Sequence, residues 1–466
     1  MAKKRKSKTA DVSSISVELP PEVPFEVSVI PESGGKSAFA TDVVPGVSNL
    51  QRYRIPMDKM VETARRLQQK EVTVHKVTEF TISACCPRAK FEKLFATKLY
   101  EKKPIRAERM PAKYTYLAPN TRISPPTDPD IANLVERVYV QPPPIFFAGE
   151  RPLPPFWNDK FRLRVPGDVA QLLRASSVHE RGLTGRGVRV AMPDTGFYHH
   201  PYFQEQGYNF LAVAAPDVVD YTSDDFGHGT GECANLFAVA PSINFIGVKM
   251  GGNLTLAFKT AVELRPHVMT NSWGFDVDGP LPAMPNWLKP LHLAVLDAVS
   301  RGIIVCFSAG NGHHGFPGSM PEVISAGGVL VDENLNYSAT HYASGFDSTW
   351  FPGRRVPDVC GLCGELPEAD YIVLPVQSGA TLEKQGGWGA FSGTSACSPM
   401  VAGVCALLKE ADPSLTLEQI RSILKYTARD ITTGTGALGK TAGPGPDGAT
   451  GFGLVDADRA VQAVKP

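Results

Sequence analysis

An α/β protein, with a mostly parallel central sheet covered by helices and a small α+β unit ahead of it, is the fold class that three observations predict for this chain of 466 residues. From Val188 onward, short apolar runs that lack polar alternation exchange with helical stretches, the pattern of strands buried on both faces. Between Pro142 and Pro155 the chain runs through three successive prolines and several more, which favour extended, exposed backbone and mark a linker. Ahead of that linker, strand-like and helical periodicities alternate over about 90 residues, enough for a small α+β domain.

Residues 1–54 are rich in Pro, Ser, Val and charge, and no periodicity persists in them, so a disordered leader is expected. A compact unit is expected over 55–140: a helix at 57–69, a strand at 72–83, a helix at 87–95 and a strand at 97–102. The proline-rich linker takes 141–160, and the main domain takes 161–466. Within the main domain, strands are predicted at 188–193, 243–250, 268–271, 303–308 and 323–330, and helices at 254–264, 291–299, 395–410 and 416–427. In such sheets ligands bind beyond the carboxyl ends of the strands. No internal repeat is present.

Apolar residues make up 43% of the chain, enough for a sizeable core, and Lys+Arg equals Asp+Glu at 47 each. That balance supplies no field to attract nucleic acid or an anionic membrane, so neither is expected as a partner. The basic start, Met1 to Lys8, is followed by polar and acidic residues, not by the apolar run of a secretory signal, and reads as a solvated tail. No later stretch reaches the roughly 18 to 20 apolar residues of a membrane span. A cytoplasmic location is therefore expected. Eight cysteines (Cys85, Cys86, Cys233, Cys306, Cys360, Cys363, Cys397 and Cys405) are too few for a disulfide framework and read as free thiols. Cys360-Gly361-Leu362-Cys363 has metal or redox spacing but no second pair beside it.

The chemistry gathers in four segments. Ser395, in Phe391-Ser392-Gly393-Thr394-Ser395-Ala396-Cys397-Ser398-Pro399, sits at a glycine-preceded helix start, where unpaired amides and the helix dipole can stabilise an oxyanion. A serine needs a base to become a nucleophile. His228, in Asp224-Asp225-Phe226-Gly227-His228-Gly229-Thr230, is a candidate base in a turn whose glycines permit close backbone approach. Asp194 ends the first buried strand, in Asp194-Thr195-Gly196, where a carboxylate meets the active edge of the sheet or simply begins a turn. Asn311, in Ser308-Ala309-Gly310-Asn311-Gly312, follows another buried strand and either donates its amide or serves an Asn-Gly turn.

These blocks, in the order Asp, His, Asn, Ser, resemble the motifs of the subtilisin-like serine proteases: Asp-Thr-Gly, Gly-His-Gly-Thr and Gly-Thr-Ser-Ala-x-x-Pro. Ala240-Pro241 before a strand ending Val248-Lys249 adds to the resemblance, which covers about 160–462. It implies a three-layer subtilisin-like domain and a serine endopeptidase working through an acyl-enzyme. In that scheme Ser395 is the nucleophile, His228 the base that later protonates the leaving amine, Asp194 the group that holds the imidazole, and Asn311 part of the oxyanion hole. Ser272, Trp273 and Gly274 resemble the strand that pairs with an extended peptide substrate, and Ser308, Ala309 and Gly310 the wall of the primary specificity pocket. With His313 and His314 after Gly312 and no acidic residue there, an apolar or uncharged residue is expected before the scissile bond.

Departures from the family also carry expectations. Gly231-Glu232-Cys233 follows the histidine motif, and the long loop that binds structural calcium in many relatives is missing between His228 and Ala240. No cofactor or metal is expected to be required, and calcium, though not excluded, is not predicted. Near Asp358-Val359-Cys360-Gly361 the family's usual Ala-Pro-Gly is absent. The pairs His199-His200 and His313-His314 read as turn residues, not zinc ligands.

The unit at 55–140 resembles the small α+β, ferredoxin-like propeptides of this and related protease clans, most closely at 81–99. That resemblance implies an intramolecular inhibitor and a self-processed zymogen. A retained recognition domain on a dedicated processing or regulatory protease is the alternative, and an inactive peptide-binding pseudoprotease is a further one.

Overall fold

The computed structural model describes residues 22–31, 35–39, 44–102, 116–142, 144, 162–277, 281–364, 371–377 and 387–464. The N-terminal unit begins with strand β1 (Glu22–Val29) and continues through α1 (Met57–Gln69), β2 (Thr73–Val77), β3 (Ile82–Pro87), α2 (Arg88–Leu94) and β4 (Val135–Tyr139). The four strands form an antiparallel sheet in the order β2-β3-β1-β4. Alternation along β1 explains its place at the centre. Val23, Phe25, Val27 and Val29 pack with Met60, Ala64 and Leu67 of α1 and with Phe91 of α2, while Glu26 and Ser28, also buried, occupy the alternate positions.

This strand corrects the expectation of a disordered leader through residue 54. A period of two, obscured by Pro24, Glu26 and Ser28, builds Glu22–Val29 into the sheet, and Val47–Tyr53 forms a 3-10 helix. Residues 1–21 lie outside the described residues. The single strand expected at 72–83 is two strands joined by a turn, in which Thr78 N and Thr78 Oγ1 both donate to Thr81 O. The strand expected at 97–102 is Leu99–Lys102, which pairs with Tyr116–Pro119 in a separate two-stranded ribbon. Most of the linker expected at 141–160 also lies outside the described residues.

The main domain is a three-layer sandwich. Its sheet contains β5 (Arg189–Asp194), β6 (Phe210–Ala214), β7 (Asn244–Lys249), β8 (Val268–Asn271), β9 (Ile304–Ser308), β10 (Ile324–Val331), β11 (Tyr337–Ala339) and β12 (Val359–Leu362). The order is β11-β10-β9-β8-β5-β7-β6, with β12 also on β10, and every pair is parallel except β10 with β11. Val190 and Met192 of β5 face a core built with α3 (His228–Val239) and α6 (Cys397–Ala411). Ala191 between them faces a second core, with α4 (Leu254–Glu263) and α5 (Lys289–Ser300). Both faces are covered, which is why these strands read as continuous apolar runs.

The N-terminal sheet docks on the α4 side through polar side chains. Lys259 of α4 donates to Glu26 (2.9 Å), Thr81 (2.6 Å) and Ser83 (3.1 Å), and Asn253 donates to Glu26 at 3.1 Å. Lys76 pairs with Glu263 across the same boundary. Burial pulls the Lys259 pKa below its usual value, opposed by the charge of Glu26. Among the described residues no helix is long and apolar enough to cross a membrane.

Candidate active site

The carboxyl ends of β5, β8 and β9 deliver Asp194, the Ser272 segment and the Ser308–Asn311 segment to one edge of the sheet, where helices α3 and α6 begin at His228 and just after Ser395. Parallel register places these strand ends side by side.

Asp194 is the last residue of β5 and has no exposed surface. Its Oδ1 accepts from Thr195 N (2.7 Å) and lies 2.7 Å from His228 Nδ1. That contact assigns the proton of the neutral ring to Nδ1 and makes Nε2 the basic nitrogen. Burial disfavours the charged ring, but the Asp194 carboxylate, with Glu232 and Asp224, outweighs it and lifts the His228 pKa above its ordinary value. Gly229 makes the approach of the two segments feasible: a Cβ there would lie 2.4 Å from Gly196 O and 2.9 Å from Asp194 Cβ.

Ser395 lies in the turn ahead of α6 and is 2% exposed. Its Oγ donates to Ser272 O at 3.1 Å, and Ser272 Oγ donates to Ser395 O at 2.8 Å. Asn311 is fixed from the other side, its Oδ1 accepting from Thr394 N (2.9 Å) and Thr394 Oγ1 (3.0 Å). These bonds fix the amide so that Oδ1 is its accepting side and the NH2 group its donating side. Ser395, Asn311, Trp273, Gly274, Ser308 and Gly310 line one small cavity. Larger cavities, of about 1000 Å³ around Arg354 and about 540 Å³ around Tyr139, lie away from Ser395.

The other expected residues divide by what they offer. Gly310 takes φ +112° and exchanges hydrogen bonds with Thr394 Oγ1, both at 3.2 Å. Ala309 is fully buried and its N–H donates to Ala326 O. The Trp273 side chain is built into the core: its Nε1 donates to Pro193 O at 2.9 Å and its ring meets Phe307 edge-on. Beyond Gly274, Phe275–Val277 pairs antiparallel with His314–Phe316.

Sequence reasoning passed over the residues that brace these groups. Thr394 orients Asn311, and Ser344 Oγ accepts from Gly312 N and His313 N. Asp224, quoted only as part of the histidine motif, is fully buried and bonds to residues on both sides of His228. Its acidic character inside a glycine-rich turn was the available signal. All eight cysteines are free and buried, and burial pushes the Cys233 and Cys397 thiols well above their usual range, so neither is a ready nucleophile. Among the described residues no cluster of three or more His, Cys, Asp or Glu side chains could hold a metal ion.

Comparison with known proteins matches residues 185–453 to the subtilase family, peptidase S8. M-protease of Shouchella clausii is 29% identical over 310 residues, covering 64% of this chain and 70% of its own length. Subtilisin Savinase of Lederbergia lenta is 28% identical over 310 residues, covering 64% and 99%. The crystal structure of fervidolysin from Fervidobacterium pennivorans, a keratinolytic enzyme related to subtilisin, superposes with a TM-score of 0.60 at 17% identity. That superposition takes in 96% of this chain, which spans 61% of the fervidolysin chain. With this fold, these motifs and these relatives, the chain belongs to the subtilase family and is a hydrolase of the subtilisin-like serine peptidase type.

Proposed function

We propose that this protein is a serine endopeptidase in which Ser395, His228 and Asp194 form the catalytic triad and Asn311 supplies the oxyanion-hole amide. The observation that carries the proposal is the 2.7 Å contact between His228 Nδ1 and Asp194 Oδ1, in which neither side chain is more than 1% exposed. In so dry a setting a carboxylate steadies the imidazolium far better than it could in water.

The chemistry follows from these atoms. As Ser395 Oγ attacks the scissile carbonyl carbon, its proton passes to His228 Nε2, after the hydroxyl turns from Ser272 O. The tetrahedral oxyanion takes hydrogen bonds from Asn311 Nδ2 and a backbone amide at the start of α6. His228 then returns the proton to the leaving amine, and the acyl-enzyme remains. A water molecule, deprotonated by the same nitrogen, releases the acid and restores the serine. The main chain of Ser272, Trp273 and Gly274 pairs with the extended substrate, and Ser308, Ala309 and Gly310 wall a pocket for an apolar or uncharged side chain. The chemistry calls for no metal or cofactor.

The N-terminal unit is proposed as an intramolecular inhibitor removed by self-processing. Val140 and Pro142, just past β4, line one cavity with Phe275 and Asp276, the continuation of the proposed substrate strand. Pro142 is thus brought to the continuation of the proposed substrate strand, although this cavity does not include Ser395. Eight free thiols fit a reducing compartment, and a cytoplasmic location is proposed on that ground.

Parallel expression of wild type and Ser395→Ala tests the reading. A shortened, active wild-type product and an intact, inactive variant are expected. Peptide hydrolysis by a folded Ser395→Ala protein overturns the triad, and an intact but active wild type replaces the inhibitor reading with that of a retained recognition domain.

A further inference from the structure

Asp224 is a wholly buried carboxylate that the mechanism above does not use. Both its oxygens are committed, and every donor comes from the segments carrying Asp194 and His228. Oδ1 accepts from Thr195 Oγ1 (2.9 Å) and Gly227 N (2.9 Å); Oδ2 accepts from Thr230 N (2.9 Å) and Thr230 Oγ1 (2.7 Å). Two of these partners pass the connection on. Thr195 Oγ1 accepts from Gly229 N at 3.0 Å, and Thr230 Oγ1 accepts from Tyr198 N at 2.9 Å.

Part of this is helix capping. Helix α3 starts at His228 behind Gly227, which has no side chain to cap it, and Asp224 satisfies the third amide of the first turn in its place. A cap alone would not need the bond to Thr195, the residue that directly follows Asp194. Through Thr195 the carboxylate ties the end of β5 to the start of α3, so the separation of Asp194 from His228 is set by a third group.

We infer that Asp224 is a positioning residue of the active site, a clamp that holds the Asp194 and His228 segments in register for proton transfer while touching no reacting atom. The inference rests on the triad assignment made above. A charge fixed so close also acts on the ring. His228 is faced by Asp194 from β5, Asp224 from the turn before α3 and Glu232 from the next turn of α3, and each favours the imidazolium. Around them stand the protonated thiols of Cys233 on α3 and Cys397 on α6. Lys249 of β7 bonds to the neighbouring Ser223 Oγ at 2.9 Å, and Gln377 Oε1 accepts from Asp224 N at 2.6 Å.

Two variants separate geometry from charge. Asp224→Asn removes the charge and sets an NH2 group against backbone or hydroxyl donors, so only one side of the clamp survives. Its kcat is expected to fall about 10- to 100-fold, the scale of a displaced catalytic group, with KM little changed. The acid limb of its pH profile should move to lower pH, because a nearby negative charge has gone. Thr195→Val keeps the charge and cuts the bridge: kcat should fall while the acid limb stays. A merely structural role lowers the melting temperature of both variants and moves neither kcat nor the limb at temperatures where they are folded. NMR titration of the His228 ring in a Ser395→Ala background reads the charge effect without turnover, and the added Asp224→Asn change should lower its pKa. If the wild type hydrolyses no peptide but this shift is found, the proposed function fails and the charge coupling stands. Wild-type kcat in folded Thr195→Val, or an unmoved limb and ring pKa in folded Asp224→Asn, overturns the inference; where Asp224→Asn does not fold, Thr195→Val decides.

Discussion

Ser395 and Ser272 hold each other through reciprocal hydrogen bonds, Ser395 Oγ to Ser272 O at 3.1 Å and Ser272 Oγ to Ser395 O at 2.8 Å. The segment proposed to pair with substrate and the proposed nucleophile therefore form one braced unit. Ser272→Ala keeps the first bond and removes the second. It should cost about 1 kcal/mol of stability, the net worth of one buried hydrogen bond, together with a few-fold drop in kcat. Thermal unfolding and peptide kinetics check this, and wild-type values in both would mean that the brace is idle.

Asn311 is oriented by Thr394, the residue before the nucleophile. Loss of one oxyanion donor typically lowers kcat by about 10²–10³, an asparagine of a subtilisin being the measured example. Asn311→Ala should show a loss of that order with KM little changed. Thr394→Val, which removes one of the two bonds to Oδ1, should give a smaller loss.

The raised pKa of His228 sets the pH response. Under the proposed mechanism His228 works as base only when neutral, so kcat/KM should rise with pH through a value above the usual imidazole pKa of about 6.5. Stability runs the other way. A folded-state pKa raised above the unfolded one contributes stability that is fully present below the unfolded value and is lost as pH rises through the folded one. Exchanging Asp194 for Asn removes the main stabilising charge and should erase this contribution while reducing kcat severely. A pH-rate profile and unfolding curves at several pH values measure the two trends.

Lys259 and Glu26 meet across the boundary between the N-terminal unit and α4, with side chains 6% and 0% exposed. Lys259→Met leaves Glu26 buried without its cation, at a cost of about 3–5 kcal/mol. Loosened docking should appear as faster proteolysis of the N-terminal unit and, under the inhibitor reading, as earlier activation. A double change to Lys259→Met and Glu26→Leu should recover part of the loss, because it leaves no stranded charge.

What could be read from the sequence follows from the physics of each segment. The buried strands of the main domain, such as Ile304–Ser308, carry their signal in nearly every residue, because both faces of the sheet are covered. Strand β1 does not: its alternate positions are Glu22, Pro24, Glu26 and Ser28, of which Glu26 meets Lys259 and Asn253 of the main domain and Ser28 bonds to Glu136, and its pairing partners Ile82–Pro87 and Val135–Tyr139 are distant in sequence. The hairpin within 72–83 was missed because Thr78-Glu79-Phe80 has none of the Gly, Pro or Asn that usually announces a turn. At the site, Asp194, His228, Asn311 and Ser395 stood out through the motifs around them. Trp273 was read as part of the cleft, but only the folded chain shows its indole turned toward Pro193. The braces Thr394 and Ser272 Oγ act through contacts such as Thr394 to Asn311, 83 positions apart, which nothing local marks, and Asp224 had only its acidic character in a glycine-rich turn to mark it.

The triad is tested most directly by mass spectrometry of the protein after reaction with a fluorophosphonate. The expected result is a single adduct on Ser395 in the wild type, formed much more slowly in His228→Ala and absent from Ser395→Ala. An adduct on any other residue, or labelling of Ser395 that is indifferent to the loss of His228, would contradict the account.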